Sequence, residues 1–287
     1  MSSGEMSMIV NTDMSEYWNG EAGRNWVLFQ NRINASLLHF GEEVMATTQI
    51  AKGEQVLDIG CGCGDTTFAI AKRVGPFGTV HGIDISDVLL EKTKNKTAIH
   101  YNTSFDCADA QSHSLKPGVY NLAFSRFGVM FFNDPVMAFR NIKKSLLPGG
   151  RIAFICWQPI EANQWVNLPL QVAAKHLPLP APSDAEEAGA FSFGEVNRVK
   201  RILSEAGFIN TLVEPFNTKF NVGENLDEAV MFLTHIGPTS GAIETLDVDG
   251  VKRSRIALDL FEKLKAHKSA QGVELDAAAW IVTARIQ

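Results

Sequence analysis

Three aspartates stand where apolar runs of the chain give out: Asp58 in "VLDIGCGCGDTT" (56–67), Asp84 in "HGIDIS" (81–86) and Asp109 in "CADAQ" (107–111). Gly60, Gly62 and Gly64 follow the first of them, each two residues apart. Every glycine costs backbone entropy, so the cluster implies that something approaches the main chain there. A strand that ends in glycines and opens a helix turns backbone N–H groups toward a ligand. Dinucleotide sites use G-x-G-x-x-G, but here the spacing is G-x-G-x-G, with Asp65 where the last glycine would fall. Asp58, two residues before Gly60, suits a cationic amine better than a pyrophosphate. Asp84 lies twenty residues past Gly64, where a carboxylate can accept both hydroxyls of a ribose. Asp109 can accept from an exocyclic adenine amine, and the amide of Ala110 can donate to a ring nitrogen. Taken singly, each aspartate also suits a loop or a helix cap. Together they point to an adenosine-type ligand that carries positive charge.

The elements that must hold these residues alternate. Val56–Ile59 reads as a strand and Thr66–Val74 as the helix after it. Val80–Ile85 is a second strand, with Ser86 as N-cap of a helix over "DVLLEKTKNK". Thr103–Cys107 and Asn121–Ser125 supply the third and fourth strands. In "DPVMAFRNIKKSLLPGG", Asp134 caps a helix, Pro135 suits its first turn and Pro148-Gly149-Gly150 ends it. "RIAFICW" is a fifth strand whose continuous apolar run needs cover on both faces. This βαβ rhythm predicts an α/β fold with a doubly wound parallel sheet. Pro159, Pro169, Pro178, Pro180 and Pro182 then mark a loop-rich insert reaching to about Ser192. "GEVNRVKRILSEAGF" reads as a helix ended by Gly207, and Ile209–Phe216 as a strand. Leu226–Ile236 and Val251–Lys268 read as helices, and "AAAWIVTARI" as the last strand.

Composition narrows the partners. The 287 residues are 45% hydrophobic and 20% charged, with a formal net charge of -6, which suits a globular protein with a sizeable core. That charge gives no general attraction to nucleic acid or to anionic membranes. The basic residues Lys252, Arg253, Arg255, Lys263, Lys265 and Lys268 share a stretch with Ile256, Leu260 and Leu264, and so read as the solvated face of a helix. "MSSGEMSMIVNTDMSEYW" lacks the basic start and apolar stretch of a signal peptide, and no run approaches a membrane span. Cys61, Cys63, Cys107 and Cys156 make no disulfide framework, and none shows the C-x-x-C spacing of structural zinc. A reducing cytoplasm and no metal are the expectations.

At this point "VLDIGCGCG" resembles the first motif of the class I S-adenosylmethionine-dependent methyltransferases. "GIDIS" resembles their ribose-binding strand end and "ADAQ" their adenine segment. "FSRFGVMFFNDP" and "LLPGGRIAFICW" are similar to the fourth- and fifth-strand motifs of the small-molecule branch. "YWNGEAGRNW", "FICWQP" and "LDEAVMFLTHIGP" extend the likeness to one bacterial group over nearly the whole chain. The resemblance implies a Rossmann-like seven-stranded sheet with helices on both faces, an N-terminal helical lid and inserts over the strand C-termini. It divides the chain into a lid (1–50), a cofactor-binding core (51–157), a substrate-side insert (158–192) and a sheet end (193–287) with a helical insert at about 218–275. The cofactor it implies is S-adenosyl-L-methionine, with S-adenosyl-L-homocysteine as product. Carried over by position, the methionine end meets Asp58, Gly60, Cys61, Gly62 and Gly64. The carbonyl around Ser125, beside Arg126, receives the ammonium. Asp84 and Ile85 meet the ribose, Asp109 and Ala110 the adenine, and Trp18 and Trp26 close from the lid. Cys63 departs from the pattern, since relatives often carry threonine there.

Methyl transfer from a sulfonium is an in-line displacement, so proximity and orientation supply most of the acceleration. A base is needed only if the acceptor must lose a proton. His39, His113 and His235 are candidates, each also readable as an ordinary packed or solvent-facing histidine. Arg126 suits an anionic or carbonyl acceptor, or an ion pair. Trp26, Phe29 and Ile33 fall on one helical stripe, whereas Tyr17 and Trp18 lie outside it beside two prospective hinges, Gly20 and Gly23. Phe191, Phe193, Trp165, Met231 and Phe232 in the inserts suggest an apolar or aromatic small-molecule acceptor. The alternative is a protein that binds the cofactor without transferring its methyl group. A nucleotide-dependent oxidoreductase is disfavoured by the missing glycine. RNA methylation is disfavoured by charge and by "SRFGVM", which stands where an Asn-Pro-Pro-Tyr run would be. The oligomeric state is left open.

Overall fold

The computed structural model describes residues 9–94, 101–179 and 186–287. The end of the "DVLLEKTKNK" helix, Pro180 and Pro182 lie outside the described residues. Five strands pair in parallel: β1 (Gln55–Ile59), β2 (Thr79–Asp84), β3 (Thr103–Cys107), β4 (Tyr120–Arg126) and β5 (Leu146–Trp157). The antiparallel β6 (Ile209–Gly223) and β8 (Gly272–Arg285) complete the sheet in the order β3-β2-β1-β4-β5-β8-β6, and the two-residue β7 (Lys268–Ser269) pairs with β8. Chain order reverses between β1 and β4, which opens the crevice where such sheets bind ligands.

Local chemistry explains most of the helices. α4 (Asp65–Val74) begins at left-handed Gly64 and ends at Gly75. Ser86 Oγ accepts the N–H of Leu89 and starts α5 (Asp87–Leu90), and Asp134 caps α6 (Pro135–Ser145) in the same way through Met137. α6 stops at Ser145, earlier than Pro148 suggests. Leu146 already pairs with Tyr120, and the register then shifts before Leu122 meets Arg151. α8 (Val196–Glu205) ends before Gly207 as expected, and α11 (Gly250–Leu264) buries Ile256, Leu260 and Leu264.

Four expectations need correction. α1 (Thr12–Asn19), α2 (Glu21–Leu28) and α3 (Gln30–Thr47) do form in the first fifty residues, but α3 is a core helix. It buries Ile33, Leu37, Phe40 and Val44, with the Phe40 ring 5.2 Å from Trp157 and 5.6 Å from Phe127. Only residues 10–28 therefore remain as a cover. Gly20 joins α1 to α2, whereas Gly23 lies inside α2 against the carbonyl of Trp18, where a side chain has no room. Pro169 does not break the insert into loop: it lies within α7 (Gln164–Ala173), buried on the core side. Finally, β6 and β8 are longer than their apolar runs, and the helical insert between them shrinks to residues 224–271. It holds α9 (Leu226–His235), α11 and a helix the periodicity missed, α10 (Pro238–Thr245).

The turns after β1 and β4 meet at a close junction. A Cβ on Gly128 would stand 2.7 Å from Ile59 O and 2.9 Å from Gly60 Cα. Gly128→Ala should lower stability in urea by about 1–3 kcal/mol, the usual cost of overpacking. Gly241→Ala, in α10 with nothing within 4 Å of the new carbon, should be neutral or stabilising by roughly 0.5–1 kcal/mol. Equal effects at both positions would show that the junction is not tight.

Candidate active site

The glycine turn forms as its spacing requires, with φ of 65° at Gly60, 55° at Gly62 and 81° at Gly64. Its amides do not face outward as expected. Gly60 and Cys61 both donate to Ile83 O (2.8 and 3.2 Å), Gly62 donates to Asp84 Oδ2 (2.7 Å), and Gly64 donates to Cys61 O (3.0 Å). The turn therefore offers close approach to its Cα atoms, not a nest of donors. A Cβ on Gly62 would meet nothing nearer than Leu89 Cδ1 at 4.0 Å, so the space beside it is open. Cys61 and Cys63 are buried beside it and form no disulfide, Cys156 is buried in β5, and Cys107 is exposed. Among the described residues no three His, Cys, Asp or Glu side chains are grouped to hold a metal ion.

The carboxylates gather at the strand ends. Asp58 in β1 is 1% exposed and accepts from Thr67 Oγ1 at 2.6 Å. Burial pushes its pKa up to about 7, against the pull of Thr67 and the Arg126 charge. Asp84 closes β2, where burial pushes it up to about 6 despite the N–H groups of Ser86 and Gly62. Its Oδ1 accepts from Ser86 at 2.9 Å and its Oδ2 from Gly62, and the Ile85 N–H also bonds the carboxylate. Asp109 follows β3, and its carboxylate accepts the N–H of Gln111 and the N–H groups of Val10 and Asn11. The neighbouring Ala110 carbonyl accepts from Asn141.

β4 supplies the opposite wall. Ser125 Oγ donates to Ile59 O (2.7 Å) and accepts from Gly128 N–H (3.1 Å), tying the two strand-end turns together. Phe127 adopts φ 60°, a strained conformation for an aromatic residue, and is held by stacking on Trp157 with centroids 4.0 Å apart. Arg126 donates to Asn34 Oδ1 at 3.1 Å; burial lowers its pKa, which Asp65 and Asp58 oppose. A cavity of about 250 Å³ opens beside it between α3 and α4, lined by Asn34, Leu38, Met45, Asp65, Thr66 and Lys72.

The N-terminal cover reaches these loops directly. Trp18 meets Trp26 (5.4 Å) and Phe131 (5.1 Å) edge to face. Its carbonyl accepts from Ser86 Oγ at 2.7 Å, while Asn19 Nδ2 donates to Ile85 O at 3.2 Å. Trp18 thus packs against the loops after β2 and β4, with Trp26 beside it. The insert aromatics lie elsewhere: Phe193, Trp165 and Phe232 are core residues and Met231 is exposed. His39 is exposed on α3, and His113 lies 3.9 Å from Asp106. His235 stands against Phe29, its Nδ1 2.8 Å from Met231 O. Sequence reasoning missed Thr67, Asn11, Asn19 and Asn34. The second threonine of "GDTT" was the one readable signal, since a hydroxyl nine residues past Asp58 returns to it across the first turn of α4.

Residues 56–150 match the methyltransferase domain family. Demethylmenaquinone methyltransferase of Staphylococcus aureus is 31% identical over 185 residues, covering 61% of this chain and 76% of that relative. Among solved structures, the YcgJ protein of Bacillus subtilis superposes with a TM-score of 0.56 at 14% identity, over 87% of this chain and 99% of that one. Phosphoethanolamine N-methyltransferase 2 of Haemonchus contortus, solved with S-adenosylhomocysteine, gives 0.50 at 16% identity, over 86% of this chain and 53% of that one. At those identities the structures speak for the fold, and the S. aureus relative for the family. The chain belongs to the class I S-adenosylmethionine-dependent methyltransferases.

Proposed function

We propose that this enzyme methylates an O, N or C atom of a small apolar or aromatic molecule. The observation that carries the reading is the ring cluster of Trp18, Trp26 and Phe131, which bridges the cover and the loop after β4. The relative named for its action on demethylmenaquinone, a quinone, supports an acceptor of the same character.

S-Adenosylmethionine supplies a methyl group on a cationic sulfur, and the residues present fit such a ligand. Asp58, which burial pushes toward neutrality, is returned to its ionised form by an adjacent cation. The Asp84 carboxylate at the end of β2 is an acceptor suited to a ribose hydroxyl, with Ile85 beside it. The open space at Gly62 and the Ser125–Arg126 strand end suit the methionine portion, and Asp109 and Ala110 mark the adenine end. The chain's own work is orientation and exclusion of water. Reactants held in line gain an effective molarity that can supply most of the barrier reduction. Methylation of a quinol or phenol releases one proton, and no side chain is assigned to receive it.

Methyl transfer is tested by incubating the protein and S-adenosylmethionine with a panel of quinols, phenols and amines, followed by mass spectrometry. A product heavier by one methyl group is expected from a quinol or phenol. Cofactor binding without turnover across the panel would favour the binding-only role.

Asp58 makes cofactor binding depend on pH. Its carboxyl, at 3.8 in an exposed reference and about 7 when folded, binds a proton that a cationic ligand must displace. Affinity by calorimetry should fall about fivefold as pH drops from about 7 to about 6, and about tenfold per unit below that. Asp58→Asn should bind weakly and without this dependence. The same raised pKa stabilises the free fold below the exposed value, and that contribution is lost as pH rises through about 7. Asp58→Asn should therefore raise the free protein's Tm at pH about 8 while abolishing the Tm gain from cofactor.

Asp84→Ala should weaken binding of S-adenosylhomocysteine by about 1.5–3 kcal/mol, the scale of hydrogen bonds to a charged group. An unchanged Kd in a folded variant would remove the ribose assignment.

A further inference from the structure

Asp109 is 2% exposed, and its carboxylate is largely committed before any ligand is considered. Oδ1 accepts the N–H of Gln111 at 2.9 Å. Oδ2 accepts the N–H groups of Val10 at 3.2 Å and Asn11 at 3.1 Å, with Ser112 Oγ at 3.5 Å. A carboxylate offers about two lone-pair sites per oxygen, so Oδ2 is filled by main chain from the far N-terminus.

That main chain is the entrance to α1. Asn11 is its N-cap residue but makes no side-chain cap; its Nδ2 instead donates to Phe131 O at 2.7 Å. The negative charge of Asp109 therefore sits by the positive end of the α1 dipole, where it is stabilising. The other end of α1 is tied as firmly. Trp18 O accepts from Ser86 Oγ, Asn19 Nδ2 donates to Ile85 O, and Asp87 N–H donates to Asn19 Oδ1 at 3.0 Å. One eight-residue helix thus bridges the loops after β2, β3 and β4.

We propose that Asp109 is a positioning residue that latches α1 over the adenosyl end of the site, its Oδ2 holding the cover while Oδ1 keeps one lone-pair site. This inference rests on the placement of the adenosyl group beside β2 and β3. Charge-assisted bonds to two consecutive amides are short-range and directional, so the latch holds only when α1 is seated. Cofactor exchange then requires these bonds to open. An amide at position 109 fits poorly, because its NH2 group faces donors wherever it turns.

The test uses the full chain with two variants that attack the latch from opposite sides. Asp109→Asn changes the acceptor, and Val10→Pro deletes one donor without touching the crevice. Hydrogen exchange of the free proteins should show amides 10–19 exchanging about tenfold faster in both variants, the loss of one charge-assisted bond. Calorimetry with S-adenosylhomocysteine and with S-inosylhomocysteine, which lacks the adenine amine, reads the other half. A latch predicts that Val10→Pro weakens both ligands by the same factor, leaving their affinity ratio as in wild type, while Asp109→Asn weakens both. The latch is overturned if exchange is unchanged, or if Val10→Pro binds both ligands as wild type does. A wild-type protein that binds neither ligand would sink the placement of the cofactor, and the exchange of the free variants would still decide the latch.

Discussion

The backbones of Gly60 and Gly128 lie so close that a methyl group fits at neither position. This contact fixes the turn after β1 on the turn after β4, at the point where the strand order reverses. Ser125 spans both turns through one hydroxyl, and the left-handed Phe127 is the price of bending the chain back to reach Gly60. The stack of Phe127 on Trp157, itself packed on Phe40 of α3, keeps that strained residue in place. A core helix, two strand ends and the crevice are thereby one mechanical unit.

The electrostatics of the crevice are arranged for a cation. A phosphate site turns its amides outward, and those partial positive charges attract the anion. Here the amides of Gly60, Cys61 and Gly62 are spent on Ile83 O and on Asp84, which takes three donors away from a positively charged ligand. The carboxylates remain, two of them buried enough to be pushed toward neutrality. Holding such groups out of water costs the free fold stability, which a cationic ligand restores by keeping them ionised. Strain in the free state and affinity for the ligand are the same free energy seen from two sides.

The parallel half of the sheet was legible because its strands are short apolar runs with glycine, aspartate and serine at their ends. Ser86 and Asp134 cap where their types and spacing say they should. The errors arose where local signals and tertiary packing disagree. Pro169 reads as a breaker, yet a helix tolerates it when the surrounding core holds the helix together. α10 is only eight residues long and gives periodicity little to show. The far halves of β6 and β8 carry Asn217, Lys219, Glu274 and Asp276 among apolar residues, so neither reads as strand until the partner is known. Charge and spacing brought the aspartates to the strand ends, while the groups that bond them were not legible. That Asp109 is engaged by Val10 and Asn11, about a hundred positions earlier, leaves no trace in either segment.

The pairing of Gly223 with Val273 closes the sheet immediately before and after the helical insert. The two ends of residues 224–271 therefore meet side by side, and the insert is in effect a single large loop. The entropy of closing such a loop grows only logarithmically with its length. Changes of length in the insert therefore cost little at this junction, but its sequence is bound to the rest: Phe232 packs on Phe29, and Glu244 accepts from Asn25 of the cover. This wall of the molecule enters the sheet at one closed point and still reaches the cover over the crevice.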